Sequence, residues 1–242
     1  MHNKAPYVSI VIAVKNEREN IAPLVEEINR AFADTHYAFE IVFIDDGSND
    51  GTFEEIERVR AAFPNIHVLQ FEKNYGQSNA LVAGIGAATG ELVATMDGDL
   101  QNDPADFPRM IAILKEKSLD MVTGIRKKRH DSKYRRIQSK IANYVRNTIT
   151  GDDITDSACA VRVFRRDCFK DIYHFQGMHR FMPTLFRMAG YKVEQVPVNH
   201  RQRRFGKAKY GMLNRVFKAT GDLFAVRWMQ KNYIRYSIKR KL

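Results

Sequence analysis

Short apolar segments alternate with helical patterns along the first half of the chain, and this alternation constrains the fold more than any other feature. The segments are continuous runs of apolar, often β-branched residues, as in buried strands, and the stretches between them repeat apolar residues on one helical face. We predict strands over residues 7–14, 39–44, 68–71 and 92–96. Strands separated by helices of about ten to fifteen residues form βαβ units. The chain is therefore predicted to be α/β, with a mostly parallel sheet flanked by helices.

Two carboxylates, Asp97 and Asp99, directly follow the fourth predicted strand. Side chains alternate along an extended strand, so both can face one point where the strand ends, with Gly98 leaving room for a bulky ligand. With the amide oxygen of Gln101 they suit a hard divalent cation that also holds a diphosphate. A polar turn would use the same residue types, and on these residues alone both interpretations stand.

Acidic residues also follow the first two predicted strands, at Glu17, Asp45 and Asp46. Ligands of parallel sheets bind at the carboxyl ends of the strands, so we expect these acids on one edge with the Asp97 and Asp99 pair. This convergence favours a site over a turn. No Gly-x-Gly-x-x-Gly follows the first strand and no Walker phosphate loop is present, which disfavours a dinucleotide oxidoreductase and a P-loop ATPase.

The net charge of +11 is unevenly distributed: residues 1–125 hold 10 basic and 20 acidic residues, and residues 126–242 hold 29 and 8. Clustered arginines in the second half suit phosphate binding, whether on nucleic acid, lipid headgroups or a phosphorylated substrate. Nucleic acid is disfavoured because the acidic strand ends would repel its backbone.

The two cysteines fit a reducing cytosol, and no signal peptide or bilayer-length apolar run is found, so we expect a cytoplasmic location.

Five segments together resemble the inverting family 2 glycosyltransferases of the GT-A fold, and among them dolichol-phosphate mannose synthases and bacterial polyprenyl-phosphate glycosyltransferases. They are residues 7–14, Asp45-Asp46-Gly47-Ser48, Asn74-Tyr75-Gly76, residues 83–90 and Met96-Asp97-Gly98-Asp99-Leu100-Gln101. The combined pattern is more specific than any of its parts. It implies a metal-dependent enzyme that moves a sugar from a GDP- or UDP-sugar to a polyprenyl phosphate.

The resemblance also implies roles for single residues on the donor side. Mg²⁺ or Mn²⁺ on the donor diphosphate would be held by Asp97, Asp99 and Gln101. The base and ribose of the nucleotide would contact Glu17 and Asp46, supported by Asp45. A further strand is predicted over residues 193–198, and the basic loop that follows it would close over the diphosphate through Arg203 and Lys209. Alanine is more usual than Gly98 in the family.

On the acceptor side, the resemblance implies that the lipid phosphate meets Arg126, Arg135 and Ser139. Asp156 would be a catalytic-site carboxylate that orients the acceptor or the donor sugar, because a phosphate monoester near neutral pH needs little deprotonation. Cys159 and Cys168 are interpreted as packed thiols rather than nucleophiles.

We assign residues 1–210 to the GT-A catalytic domain and 211–242 to a basic extension with an amphipathic helix over 212–229. Residues 201–242 hold 13 basic residues and one acid, Asp222. This composition suits a helix on the cytoplasmic face of an anionic membrane, or one that docks on a small membrane-anchoring partner. A core helix followed by a basic tail remains open.

Two other functions remain open at this point. The first is a family 2 transferase that glycosylates a polysaccharide or a protein. The second is a binding module without enzymatic activity, for nucleotides or nucleic acid.

Overall fold

The computed structural model describes residues 5–126, 144, 146–203 and 212–234. Strands and helices alternate through the first half, as predicted. The elements are β1 (Val8–Val14), α1 (Arg18–Phe32), β2 (Phe39–Asp45), α2 (Thr52–Arg60), β3 (Ile66–Gln70), α3 (Gln77–Ala87), β4 (Leu92–Asp97), α4 (Asp106–Glu116), β5 (Met121–Arg126), β6 (Arg162–Arg165), α5 (Met182–Met188), β7 (Val193–Val198) and α6 (Met212–Lys231). Two 3₁₀ helices lie between β6 and α5, at Arg166–Asp171 and Met178–Arg180.

Within the described residues, seven strands form one sheet in the order β3-β2-β1-β4-β6-β5-β7. Only β6 is antiparallel to its neighbours β4 and β5, so the sheet is mostly parallel, as predicted. Arg162, the first residue of β6, lies opposite Thr95 and Thr123. Strands β4 and β5 therefore continue beyond the start of β6, and the segment that precedes β6 lies between their carboxyl ends.

Side chains of β1 alternate between two cores, which explains why this strand is apolar at nearly every position. Ile10 and Ile12 pack with Leu24 of α1 on one face of the sheet. Val11 packs on the other face, in a second core that also contains Leu223 of α6. Both faces of the sheet are covered, as a parallel sheet requires.

A buried carboxylate connects three segments near the amino end of the sheet. Oε1 of Glu40 accepts hydrogen bonds from Ser9 Oγ (2.5 Å) and from the amide (2.7 Å) and hydroxyl (2.8 Å) of Thr89, and Oε2 lies 3.3 Å from His67 Nε2. Burial by itself would raise the pKa of Glu40, but these hydrogen bonds and the charge of His67 hold it below its ordinary value.

Replacing Glu40 with Gln is expected to lower the free energy of unfolding by about 1–3 kcal/mol at neutral pH, because the charged acceptor of three hydrogen bonds is lost. A lowered native pKa stabilises the fold above the unfolded value of 4.5, and this contribution disappears as the pH falls through the native value. Urea unfolding at neutral pH and well below that value measures the difference. A destabilisation that did not shrink in acid would contradict this explanation. Glu91→Gln, which removes an exposed ion pair with Arg165, serves as the control and should change little.

Candidate active site

The acidic strand ends meet at one edge of the sheet. Asp45 lies opposite Val14, the last residue of β1, and Asp97 lies opposite Ala13. The two residues therefore lie on the strands that flank β1, within one residue of the same level. The predicted convergence on the carboxyl edge is confirmed for these strands.

The turn after β4 is tightly determined. Leu100 has a left-handed backbone conformation (φ 60°), which is unusual for a residue other than glycine, and its side chain is buried. The turn is closed by hydrogen bonds from the Gln101 amide to Asp99 Oδ1 (3.2 Å) and from the Asp97 amide to Asn102 Oδ1 (3.0 Å). Strained backbone of this kind is characteristic of functional sites.

The structure explains the glycine at position 98 differently from the sequence-based prediction. A Cβ atom added at Gly98 would lie 2.6 Å from Cγ1 of Val14, so the glycine allows this turn to approach β1. The space was predicted to admit a ligand, but a protein side chain lies there.

Asp97 and Asp99 repel each other. The pKa of Asp97 is raised to about 6, first by burial and then by the negative charge of Asp99, against the opposing charges of Arg162 and Arg126. Gln77 at the start of α3 donates a hydrogen bond to Asp97 Oδ1 (3.0 Å). Two acids in this arrangement are stabilised by a bound cation.

The residues after β4 offer oxygen ligands that fit a hard divalent cation. No group of three or more His, Cys, Asp and Glu side chains suited to a metal occurs in the part of the chain that the structure describes. The candidate set is smaller, with two carboxylates and Gln101. The Gln101 side-chain nitrogen donates to the Arg201 carbonyl (3.3 Å), which leaves its oxygen as the acceptor end. A diphosphate would have to supply further ligands.

The basic loop after β7 is fastened to this acidic turn. The Arg201 amide donates to the Gln101 carbonyl (2.8 Å), and Asn102 forms a bridge with His200. Arg203 forms an ion pair with Asp99, with Nη2 and Oδ2 at 2.5 Å. The structure thus brings Arg203 to the candidate metal site, whereas Lys209 lies outside the described residues.

The predicted nucleotide-binding acids brace the neighbouring loops. Asp46 accepts hydrogen bonds from the amides of Tyr75 (2.7 Å) and Gly76 (2.9 Å), and Asp45 accepts one from the Ser48 amide (3.0 Å). Glu17 accepts one from the Asn20 side chain (2.5 Å). The Asp46 bonds join the loops after β2 and β3, whereas those of Asp45 and Glu17 are local to the segments after β2 and β1. Nucleotide contacts by these three acids stay a prediction.

On the other side of β4, Arg126 at the end of β5 forms an ion pair with Asp156, with Nε and Oδ2 at 2.7 Å. Arg135 and Ser139 lie outside the described residues. Cys159, three residues after Asp156, is buried, and its pKa is raised to about 11 by burial and by Asp156. It therefore stays protonated at neutral pH, and the prediction of a packed thiol is confirmed.

Sequence reasoning did not predict a buried network that joins the start of α3, the start of β6 and residues 177–179. Ser78 accepts a hydrogen bond from the Gly177 amide (2.9 Å), and its hydroxyl oxygen lies 2.8 Å from His179 Nδ1. Arg162 is 2% exposed and donates to the carbonyls of Ser157 (3.1 Å) and His179 (2.9 Å). An arginine inside the apolar run 161–164 was a sequence signal for this network.

Helix α6 presents two different apolar faces. Leu223 and Val226 are buried in the core, whereas Phe224 and Trp228 are 61% and 66% exposed. The helix predicted over 212–229 therefore carries apolar residues on both a buried and an exposed face, and its docking on a membrane or on a partner stays a prediction. Asp222 fastens the helix to Arg180 through an ion pair of 2.9 Å. None of the helices in the described ranges is both long and apolar enough to cross a membrane.

Comparison with known proteins identifies relatives of this arrangement. Residues 9–173 match the family model "Glycosyl transferase family 2". A dodecaprenyl-phosphate galacturonate synthase from Rhizobium johnstonii is 35% identical over 93% of this chain and 67% of its own length. An undecaprenyl-phosphate 4-deoxy-4-formamido-L-arabinose transferase from Yersinia pestis is 33% identical over 85% of this chain and 63% of its own length. The chain thus spans about two thirds of the length of these curated relatives.

Solved structures support the fold independently. Glucosyl-3-phosphoglycerate synthase from Mycobacterium tuberculosis, in complex with Mn²⁺, uridine diphosphate and glucosyl-3-phosphoglycerate, matches with a TM-score of 0.68 over 95% of this chain and 81% of that chain. The sequences are 16% identical, so this likeness concerns the fold alone. The predicted GT-A architecture, a mostly parallel sheet flanked by helices, is confirmed.

Proposed function

The chain belongs to glycosyl transferase family 2, and on this premise we propose that it transfers a sugar from a nucleoside diphosphate to a polyprenyl phosphate. The product would be a lipid-phosphate-sugar with inverted configuration at the anomeric carbon. The two curated relatives support the lipid phosphate as acceptor, because both are named for a polyprenyl phosphate.

One observation favours this function most: opposite charges meet at the carboxyl edge of the sheet. Asp97 and Asp99 follow β4, and they are flanked by Arg203 on one side and Arg126 on the other. Arg203 contacts Asp99 directly, and the charge of Arg126 lowers the pKa of Asp97. An acidic pair between two guanidinium groups suits a reaction in which two phosphate-bearing substrates meet beside a cation.

The residues divide into a leaving-group side and an acceptor side. We assign Arg203, together with Lys209, to the donor diphosphate, where positive charge stabilises the negative charge that develops as the sugar leaves. Arg126, with Arg135 and Ser139, would hold the acceptor phosphate. An oxygen of that phosphate attacks the anomeric carbon while the bond to the diphosphate breaks. The phosphate is already anionic near neutral pH, so this attack needs no strong base.

Asp97, Asp99 and the Gln101 oxygen would hold Mg²⁺ or Mn²⁺ against the donor diphosphate. When bound, the cation supplies charge neutralisation for the leaving nucleotide. The mycobacterial fold relative was crystallised with Mn²⁺ and with Mg²⁺, and this supports the class of cation but not the individual ligands. Glu17, Asp45 and Asp46 would shape the nucleotide pocket through the loops that they brace.

The test of the proposed function has two steps. A thermal-shift panel of nucleoside diphosphates and sugar nucleotides, with and without Mn²⁺, identifies the donor, because a ligand that binds the native state raises the melting temperature. The stabilising sugar nucleotide, radiolabelled in its sugar, is then incubated with undecaprenyl phosphate. We expect metal-dependent label in the organic phase. Label found only on polysaccharide or protein would contradict the proposal that the acceptor is a lipid phosphate. If no nucleotide stabilised the protein, the proposed transferase activity itself would be contradicted.

We further propose that α6 rests on the cytoplasmic face of an anionic membrane. Phe224 and Trp228 are one helical turn apart and exposed, with Arg227 between them and Lys231 at the end of the helix. Exposed aromatic residues combined with cationic neighbours are typical of helices that lie in the lipid interface. A polyprenyl phosphate acceptor would be presented at the same surface.

Replacing both Phe224 and Trp228 with Ala is expected to weaken binding to vesicles that contain anionic phospholipid by roughly tenfold to a hundredfold, because two apolar insertions of about 1.5–3 kcal/mol each are partly lost. Vesicle sedimentation measures this change. The double replacement Phe224→Leu with Trp228→Phe keeps apolar bulk and should retain most of the binding. Unchanged sedimentation of the alanine variant would refute a role for this face.

A further inference from the structure

The geometry points to Asp156 as a positioning residue that acts through Arg126: it holds the guanidinium so that its unused edge receives the acceptor phosphate. This inference rests on the proposed function and deepens it. It also replaces the expected role of Asp156 as a carboxylate that orients a substrate directly.

Asp156 and Arg126 form a bidentate pair. Nε of Arg126 donates to Oδ2 of Asp156 (2.7 Å) and Nη2 donates to Oδ1 (2.7 Å), and the Arg126 amide donates to Oδ2 as well (3.3 Å). Asp156 is only 6% exposed, and the Arg126 side chain is 18% exposed. Two parallel hydrogen bonds between charged groups fix the plane of the guanidinium, whereas a single bond would let it rotate.

The pairing leaves a defined set of donors on Arg126. A guanidinium has five N–H groups, of which Asp156 receives one from Nε and one from Nη2. Within the described ranges no hydrogen bond from Nη1 occurs, so the edge formed by Nη1 and the outer Nη2 hydrogen stays available. This edge has the spacing of two phosphate oxygens. Arg126 ends β5 and Asp97 ends β4, the two strands that flank β6, so Arg126 lies on the sheet edge that carries the candidate metal site.

The segment that contains Asp156 is itself held in place. Arg146, 7% exposed, donates to the Ser157 hydroxyl and to the Ile154 carbonyl, and Arg162 donates to the Ser157 carbonyl (3.1 Å). On the outer side, the Thr155 amide donates to the Gln195 side chain of β7 (2.7 Å). A carboxylate anchored on both sides transmits a fixed orientation to its partner, as a support for a binding group must.

The same contacts make Asp156 a poor proton acceptor. Both of its oxygens accept hydrogen bonds from a permanent cation, which stabilises the ionised form. The proposed reaction also offers no proton that must be removed, because the acceptor phosphate is anionic near neutral pH. A general base would need a proton to accept, and both oxygens of Asp156 already accept hydrogen bonds from Arg126.

The experiment compares Asp156→Asn, Arg126→Ala and the double variant with the unsubstituted protein. In Asp156→Asn, the new amide group faces an N–H of Arg126 and disrupts the pair without changing the size of the side chain. We expect KM for polyprenyl phosphate to rise roughly 10- to 100-fold, with kcat within a few-fold and the pH profile of kcat unchanged. The double variant should be no worse than Arg126→Ala, because the two residues act as one unit.

Three other results would instead indicate that Asp156 acts as a general base. A fall of kcat by two or more orders of magnitude, loss of the acidic limb of the pH profile, or a multiplied defect in the double variant would overturn the inference. Asp153→Asn is the matched control: it removes an acid three residues away whose side chain is 78% exposed and pairs with Arg187, and it should leave both kinetic constants unchanged.

A binding measurement separates this inference from the proposed function. Titration calorimetry with farnesyl phosphate, a soluble prenyl phosphate, should show 10- to 100-fold weaker binding to Asp156→Asn, with unchanged affinity for the nucleotide. Unchanged prenyl phosphate affinity in a folded variant would overturn the positioning role alone. A wild-type protein that binds no prenyl phosphate would overturn the proposed function, and this inference with it.

Discussion

Replacing Asp99 with Ala is expected to lower sugar transfer by about three orders of magnitude, because several kcal/mol of charge stabilisation at the leaving diphosphate depend on the carboxylate pair. Asp99 is 8% exposed, it closes the turn through the Gln101 amide, and it is the partner of Arg203. Without it, Asp97 is the one carboxylate left beside the Gln101 oxygen to hold a cation, and Arg203 loses its anchor. Initial rates measured while Mn²⁺ or Mg²⁺ is titrated check this prediction.

Two further variants separate charge from shape. Asp99→Asn can still accept the Gln101 hydrogen bond through its carbonyl oxygen and should keep the turn, yet we expect almost the same loss of transfer because the charge is gone. Asp120→Asn changes an acid at the opposite edge of the sheet, where it accepts the Lys192 amide hydrogen bond (2.8 Å), and should keep normal metal dependence. An Asp99→Ala protein with intact turnover would exclude Asp99 as a metal ligand.

The parallel part of the fold could be read from the sequence because its strands are buried on both faces. β1 and β2 are therefore apolar at nearly every position, and the helix after β1 repeats Ile21, Leu24 and Ile28 on one face. The direction of β6 could not be read in this way. β6 has only four residues, with an arginine at each end. The direction of a strand depends on where the preceding segment enters the sheet, and the local sequence does not encode that position.

The candidate site was also predictable only in part. Acidic and basic residues at strand ends were identifiable because parallel strands end at one edge of the sheet, and Asp97, Arg126 and Arg203 lie there. Contacts between distant segments were not identifiable. The pairing of Arg126 with Asp156 spans 30 positions, and that of Ser78 with His179 spans 101. Only the folded sheet brings these residues together, so a role that acts through a neighbour is visible in the structure first.

Arg203 provides a second test with a large expected effect, because the structure assigns it a partner that a metal would also use. Arg203→Ala is expected to lower kcat roughly 100-fold, in the range found when one preorganised donor to a developing charge is removed. The same change should strengthen Mn²⁺ binding to the protein alone, because Arg203 no longer competes for Asp99. Steady-state kinetics and calorimetric titration of Mn²⁺ measure the two effects on one preparation.

A lower kcat together with stronger Mn²⁺ binding distinguishes an arginine that closes over the donor diphosphate from one with a structural role only. Arg201 is the matched control, since it pairs with Glu27 (2.7 Å) and Asp103 (2.8 Å) instead of Asp99. Arg201→Ala should lower the melting temperature and leave the Mn²⁺ affinity unchanged. If Arg203→Ala weakened Mn²⁺ binding, its ion pair with Asp99 would be organising the metal site rather than competing with the cation. An unchanged kcat would remove Arg203 from the leaving-group side altogether.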